Sequence, residues 1–149
     1  AANSTGSGST AFGATYSGIE GLSLSYGQGS SDNVKDESGD QTIMKASYAY
    51  GPITVGASNN DFDHTTASND QEVSSVSLSY TVSDQISVSY GEETIDRSGS
   101  ATDIEVTGVS ISYTSGGMTA SFAQVEAENV DHTAGLDKEV WNIGLSFAF

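Results

Sequence analysis

Strict alternation of apolar and polar residues runs through most of this chain and limits it to β structure. An apolar residue occupies every second position, with serine between, in residues 22–26, 76–80, 86–90 and 109–113. A period of two is that of a strand with one apolar face, and no segment has the 3.6-residue period of a helix. The sequence therefore predicts an all-β, antiparallel protein.

The alternating segments predict about nine strands, joined by connections that alternate between short and long. Short turns and long polar loops in alternation are typical of an up-and-down meander. The apolar phase changes between Val106 and Val109, so we expect a β-bulge at Gly108. The strands are expected near residues 9–17, 21–28, 41–50, 52–59, 72–82, 85–92, 104–114, 117–126 and 139–149. The long loops are expected at about 29–40, 60–71, 93–103 and 127–138.

The charge is large, negative and unevenly placed. The chain has 4 Lys+Arg against 20 Asp+Glu, a formal net charge of −16, which argues against binding nucleic acid. It has no cysteine, which excludes a disulfide framework and a thiolate metal site. Of the 20 carboxylates, only Glu20 and Asp84 lie at the short-turn end of the predicted strands. The charge is therefore polarised along the strand axis.

Aromatic residues collect at the opposite end, where the predicted strands approach the short turns. A row of amphipathic rings at one level is what a membrane–water interface selects. The predicted interfacial aromatics are Tyr16, Tyr48, Tyr80, Tyr113 and Phe149.

The polar phase of the alternation distinguishes between two β architectures. It consists of Ser, Gly, Thr, Ala and Asn, with Lys45 as the main charged exception. A soluble sandwich normally carries Lys, Glu and Arg on its wet face, whereas a membrane barrel has an apolar lipid face and a polar interior. The sequence therefore favours a transmembrane β-barrel, although a sandwich with buried apolar faces gives the same alternation.

The alternation assigns residues to two faces. Those expected to face lipid or a neighbouring subunit are Phe12, Met44, Val55, Leu78, Val88, Ile111, Phe122, Ile143 and Leu145. Those expected to face a lumen are Lys45, Ser47, Ser77, Ser87, Ser110, Ser121, Asn142 and Ser146.

Segment 140–149, with alternating apolar residues and Phe149 last, resembles the closing strand of a Gram-negative outer-membrane porin. Segments 21–27 and 50–56 are similar to porin hairpins, especially those of alphaproteobacterial and marine general porins. The resemblance covers nearly the whole chain. It implies a diffusion pore in the bacterial outer membrane, usually of sixteen strands and usually a homotrimer, in contact with lipid and lipopolysaccharide.

Chains of that family start and end in the periplasm, so their number of strands is even, whereas nine strands are predicted here. We therefore expect residues 1–149 to form the C-terminal part of one larger barrel domain, with seven further strands completing sixteen. Residues 1–8 are then the tail of an outer loop, the long loops face outward, and the C-terminus lies on the periplasmic side. The constriction residues of the family would lie mostly outside this chain, so none is assigned.

The expected function is passive diffusion of small hydrophilic solutes, with a mild preference for cations at the outer mouth. The acidic loop end would enrich cations there. No catalytic residue is expected, because the two histidines, His64 and His132, fall in loops and no nucleophile elbow accompanies them.

The acidic segments also suggest weak binding of Ca²⁺ or Mg²⁺, although no loop completes the calcium-binding pattern. No other cofactor is expected. The alternative function is a secreted, calcium-dependent adhesive or structural β-domain, whose apolar faces would be buried between sheets. The candidate oxygen ligands are Asp32, Asp36, Asp40, Asp61 and Asp63.

Overall fold

Nine antiparallel strands and almost no helix make up the structure, a computed structural model that describes residues 8–32 and 38–148. Two single-turn 3₁₀ helices, Ala67–Asn69 and Val130–His132, lie in connections. The all-β prediction and the expected number of strands are confirmed. The strands are β1 (Gly8–Tyr16), β2 (Leu22–Asp32), β3 (Gly39–Tyr50), β4 (Ile53–His64), β5 (Gln71–Thr81), β6 (Ile86–Arg97), β7 (Ile104–Ser115), β8 (Met118–Glu128) and β9 (Lys138–Phe147).

All nine strands belong to one sheet in the order of the sequence, and each pairs antiparallel with its sequence neighbours. This is the expected up-and-down meander. The sheet is open, with β1 and β9 at its edges. Glycines make the tight turns: Gly51 (φ 55°) between β3 and β4, and Gly116 (φ 57°) between β7 and β8, adopt positive φ angles that favour glycine. No helix in the described ranges is long and apolar enough to cross a membrane.

The sheet has two faces of different chemistry, since residues opposite each other in antiparallel register point to the same side. We call one the apolar face, after Leu24, Leu78 and Ile111. The other we call the serine face, after Ser77 and Ser110. In β7, residues of the serine face are mostly half-buried and those of the apolar face are exposed.

The strands that run toward the loops are longer than the sequence predicts. β2, β4, β6 and β8 extend to Asp32, His64, Arg97 and Glu128, so the expected loop boundaries are wrong by up to about five residues. The described loop-end connections are only 65–70, 98–103 and 129–137. The cause is a change of polarity: near the loops the apolar face becomes acidic, so strand residues resemble a polar loop. Gly8 also belongs to β1, so it is not part of an outer-loop tail, and residues 1–7 lie outside the described residues.

The expected bulge at Gly108 is wrong. Gly108 pairs with Gly91, and the pairing continues without interruption on both sides, from Ile104 to Tyr113. Ile104 and Val106 simply lie on the serine face, whereas Val109 lies on the apolar face. The change of apolar phase is therefore an exchange of polarity between faces, with the register intact.

Candidate functional site

No part of the described chain packs on the apolar face. No described residue is buried, and Ile143, near the centre of that face in β9, is 83% exposed. A sandwich buries its apolar faces between two sheets. This face therefore needs an apolar medium or another protein surface to cover it.

The register keeps the two predicted sets of residues on separate faces. All nine residues expected to face lipid lie on the apolar face, and all eight expected to face a lumen lie on the serine face. Contact of these faces with lipid and with water stays a prediction.

Aromatic rings form a belt on the apolar face near the short turns. The belt consists of Tyr16, Tyr48, Tyr80, Tyr113 and Phe147, one residue in each of β1, β3, β5, β7 and β9. Four of the five predicted interfacial aromatics are members of it. Phe149 lies outside the described residues, and Phe147 occupies the position in β9.

The belt crosses the sheet obliquely and at a constant pitch. Tyr48 lies level with Val55 and Leu78, so Tyr80 is displaced by two residues toward the turns. The same displacement relates Tyr16 to Tyr48, Tyr80 to Tyr113, and Tyr113 to Phe147.

This pitch is one residue per strand. With about 3.3 Å per residue and about 4.8 Å between strands, the strands are tilted by about 35° relative to a normal to the belt. Membrane barrels have strand tilts of roughly 35–45°. The belt thus lies where a flat membrane interface would cross a tilted barrel wall.

A second belt, of carboxylates, runs parallel to the first. Each is eight residues before a ring of the aromatic belt in the same strand, a separation of roughly 26 Å along the strand and roughly 22 Å after tilting. An outer-membrane apolar band is roughly 25 Å tall. The two belts therefore bound a largely apolar band of nearly that height, although Glu92, opposite Val76, lies within it. The carboxylates are Asp40, Glu72, Glu105 and Glu139.

The charged side chains are segregated by face of the sheet as well as by position along the strands. Twelve carboxylates lie within the described strands, and eleven of them are on the apolar face, in its loop-end half; Glu93, on the serine face, is the exception. The three cationic side chains of the described residues, Lys45, Arg97 and Lys138, are all on the serine face. The acidic character of the chain is therefore carried mainly by the outer rim of the apolar face and by the connections.

Like charges lie directly opposite each other in this acidic rim. Asp61 is opposite Glu72, and Glu72 is opposite Asp96. Partial burial, together with the charges of Asp63, Glu72 and Asp70, raises the pKa of Asp61, which lies beyond the apolar band. Directly opposed like charges destabilise a sheet, so this rim favours protonation or a counter-ion.

The predicted metal ligands lie on strands of this rim. Asp40 is opposite Asp63, and Asp32 and Asp61 share their face, whereas Asp36 lies outside the described residues. Within residues 8–32 and 38–148, no three His, Cys, Asp or Glu side chains are grouped so that they could hold a metal ion. Weak cation binding stays a proposal.

Paired hydroxyls line the serine face. The Oγ atoms of Ser87 and Ser112 are 2.8 Å apart, and those of Ser89 and Ser110 are 2.7 Å apart. Such cross-strand pairs satisfy the hydroxyls while leaving acceptor capacity for water. The face is hydrophilic and mostly neutral in its centre and toward the short turns, whereas near the loops it carries apolar residues such as Ile104 and Val106.

The two histidines bond to the backbone of the loop end. His64 Nδ1 accepts a hydrogen bond of 2.9 Å from the Thr66 amide, and His132 Nδ1 lies 2.9 Å from the Thr102 carbonyl oxygen. Thr102 in turn donates through its hydroxyl to the carbonyl of His132, at 2.7 Å. The contacts of His132 join two neighbouring connections, whereas that of His64 lies within one connection.

Sequence reasoning missed the regularity of the two belts. The eight-residue spacing from a carboxylate to an aromatic ring, repeated in β3, β5, β7 and β9, is visible in the sequence. Its meaning depends on the register, which fixes the displacement between strands.

Comparison with known proteins agrees with this geometry. No curated protein matches the chain. The family model described as Gram-negative porin matches residues 1–133, which is most of the chain. The chain therefore belongs to the Gram-negative porin family.

Proposed function

We propose that this chain forms part of a passive, water-filled pore that admits small hydrophilic solutes through the outer membrane. Family membership supports an outer-membrane pore for solute diffusion. The observation that carries the proposal is the constant pitch of the two belts. They bound a largely apolar band on one face, while hydroxyls line the centre and the short-turn end of the other face.

The chain is, in this proposal, the C-terminal part of a larger barrel of sixteen strands, assembled as a homotrimer. The antiparallel direction of all nine strands supports it, because β1 and β9 then run the same way and need further strands between them. The loop end faces outward and the C-terminus lies on the periplasmic side. The two belts support this orientation, because the acidic belt lies at the loop end and the aromatic belt lies at the short-turn end.

We propose a mild cation preference at the outer mouth, which depends on fewer carboxylates than the net charge suggests. Strand carboxylates of the apolar face do not line the passage. The carboxylates that could act at the mouth are those of the connections, such as Asp70, Asp103, Asp131 and Asp137, and Glu93 on the serine face. Their field enriches cations within a Debye length, roughly 8 Å at physiological ionic strength.

The acidic rim of the apolar face is proposed to meet the headgroups of outer-membrane lipid and lipopolysaccharide. Phosphates and carboxylates repel each other, so Ca²⁺ or Mg²⁺ would have to bridge them. The opposed pairs Asp40–Asp63 and Asp61–Glu72 support the need for such a cation. Loss of thermal stability on chelation, restored by Ca²⁺, is the expected outcome; stability that is unaffected by chelation in native membranes contradicts it.

The alternative, a secreted adhesive or structural β-domain, is not favoured. Its apolar faces would be buried, whereas the apolar face here is exposed. Planar-bilayer recording of the native protein tests the pore directly. We expect stepwise, ohmic conductance at high salt; absence of conductance from protein that is folded in detergent would refute the pore.

A further inference from the structure

Lys45 occupies an unusual position among the charges of the sheet. It lies in the middle of β3 on the serine face, between Met44 and Ala46 of the apolar face. Were the serine face turned to lipid, its ammonium would lie close to the apolar band, where a lysine is strongly destabilising. Its place is therefore the water-filled side of the wall.

Among the residues that the structure describes, no carboxylate neighbours Lys45. Its cross-strand partners are Ser25 and Ser58, and the register continues from Ser58 to Ser75 and then to Glu93. Glu93 is thus three strands away, roughly 14 Å. That distance exceeds the Debye length at physiological ionic strength, roughly 8 Å, so Glu93 does not neutralise Lys45.

A cleft of about 300 Å³ on the serine face surrounds this lysine. It is lined by Lys45, six serines, Gly56 and two alanines. Among the described residues, Ser23, Ser47 and Ser77 make no side-chain hydrogen bond, so their hydroxyls are available to a solute. Hydroxyl donors around an ammonium, without a carboxylate, are complementary to an anion.

We propose that Lys45 and the serine hydroxyls around it form a transient subsite for small organic anions, and that Lys45 determines how readily this wall passes them. This inference rests on the proposed pore function. The cleft is open and its hydroxyls are neutral, so binding is weak and exchange is fast, as conduction requires. The subsite lies on the wall, separate from the carboxylates of the outer connections.

The test compares Lys45→Gln with Lys45→Arg in the full native protein, by reversal potential in planar bilayers under gradients of KCl and of potassium acetate. We expect Lys45→Gln to raise the cation-to-anion permeability ratio roughly twofold near 0.1 M salt, for acetate as for chloride. The change should fade near 1 M, where the Debye length is about 3 Å. Lys45→Arg keeps the charge and should retain the original ratio.

A second variant separates the effect of the charge from any effect on folding. The sequence has no cysteine, so Lys45→Cys can be modified after folding with a cationic aminoethyl or an anionic sulfonatoethyl thiosulfonate. The cationic adduct should restore anion passage and the anionic adduct should lower it further. Conductance with a permeability ratio that is the same for Gln, Arg and both adducts overturns the inference and leaves the pore intact. Absence of conductance from the unmodified protein overturns the pore itself.

Discussion

Glu92 and Glu93 are consecutive in β6 and lie on opposite faces of the sheet. Glu92 is opposite Val76 and Thr107, and accepts a hydrogen bond from the Tyr90 hydroxyl on the apolar face. Glu93 is opposite Ser75 and Val106 on the serine face. The same side chain thus occurs at neighbouring positions, once on the proposed outer surface and once on the proposed pore wall.

Neutralising these two residues should have different effects on ion selectivity. Glu93→Gln should lower the cation-to-anion permeability ratio roughly twofold near 0.1 M salt, because Glu93 is the carboxylate of this strand that lies on the proposed pore wall. Glu92→Gln should leave the ratio unchanged. Reversal potentials in KCl gradients measure both.

The pair is its own control, since both substitutions remove one charge from β6. Equal shifts in the two variants would contradict the assignment of faces. A shift for Glu92→Gln alone would reverse it.

Leu78 and Ser77 give a corresponding prediction for stability. Leu78 lies on the apolar face opposite Val55 and Tyr90, so Leu78→Arg should destabilise the folded protein by about 2–4 kcal/mol if it is at mid-membrane. Ser77→Arg places the same side chain on the serine face and should be nearly neutral. Denaturant unfolding in lipid vesicles measures the difference; equal tolerance at both positions would be evidence against it.

Asp61 should make stability depend on pH in a defined direction. Burial and the neighbouring Asp63, Glu72 and Asp70 raise its pKa, so the folded state favours the protonated carboxyl. Its contribution to stability is then fully present below the unfolded pKa, near 4, and is lost as the pH rises through the folded value.

Asp61→Asn should therefore raise the thermal stability of the detergent-solubilised protein at pH 7, and the gain should shrink as the pH falls toward 4. Asp84→Asn, at the short-turn end, serves as a matched control and should show no comparable gain. A gain from Asp61→Asn that grows on acidification has the wrong sign for this account.

The sequence predicted the strands well because their centres alternate strictly. Leu78 and Ser77, or Ile111 and Ser110, differ enough in polarity to assign both strand and face. The ends of the strands were missed because the polarity exchanges between faces there. Ile104 and Val106 place apolar side chains on the serine face. In the sequence alone, this change of phase resembles a shift in strand register.

The charges show what composition alone does not reveal. The sequence places the carboxylates at the loop end, but only the register shows that Glu72 and Glu105 point away from the serine face while Lys45 lies on it. The height of each carboxylate follows from its position along its strand, and the sequence alone gives that position. The face on which each carboxylate lies near the loops depends on the strand pairing, because this pairing continues through segments that resemble loops in sequence.

The most direct test of the account is thiol accessibility combined with conductance. Ser77→Cys and Leu78→Cys place a single thiol on opposite faces of β5, in a sequence that has no cysteine. A cationic, membrane-impermeant thiosulfonate should react with Cys at position 77 and lower single-channel conductance in steps, whereas position 78 should stay unreactive and its conductance unchanged. Reaction and block at position 78, with position 77 protected, would contradict the claim that the serine face lines a water-filled pore.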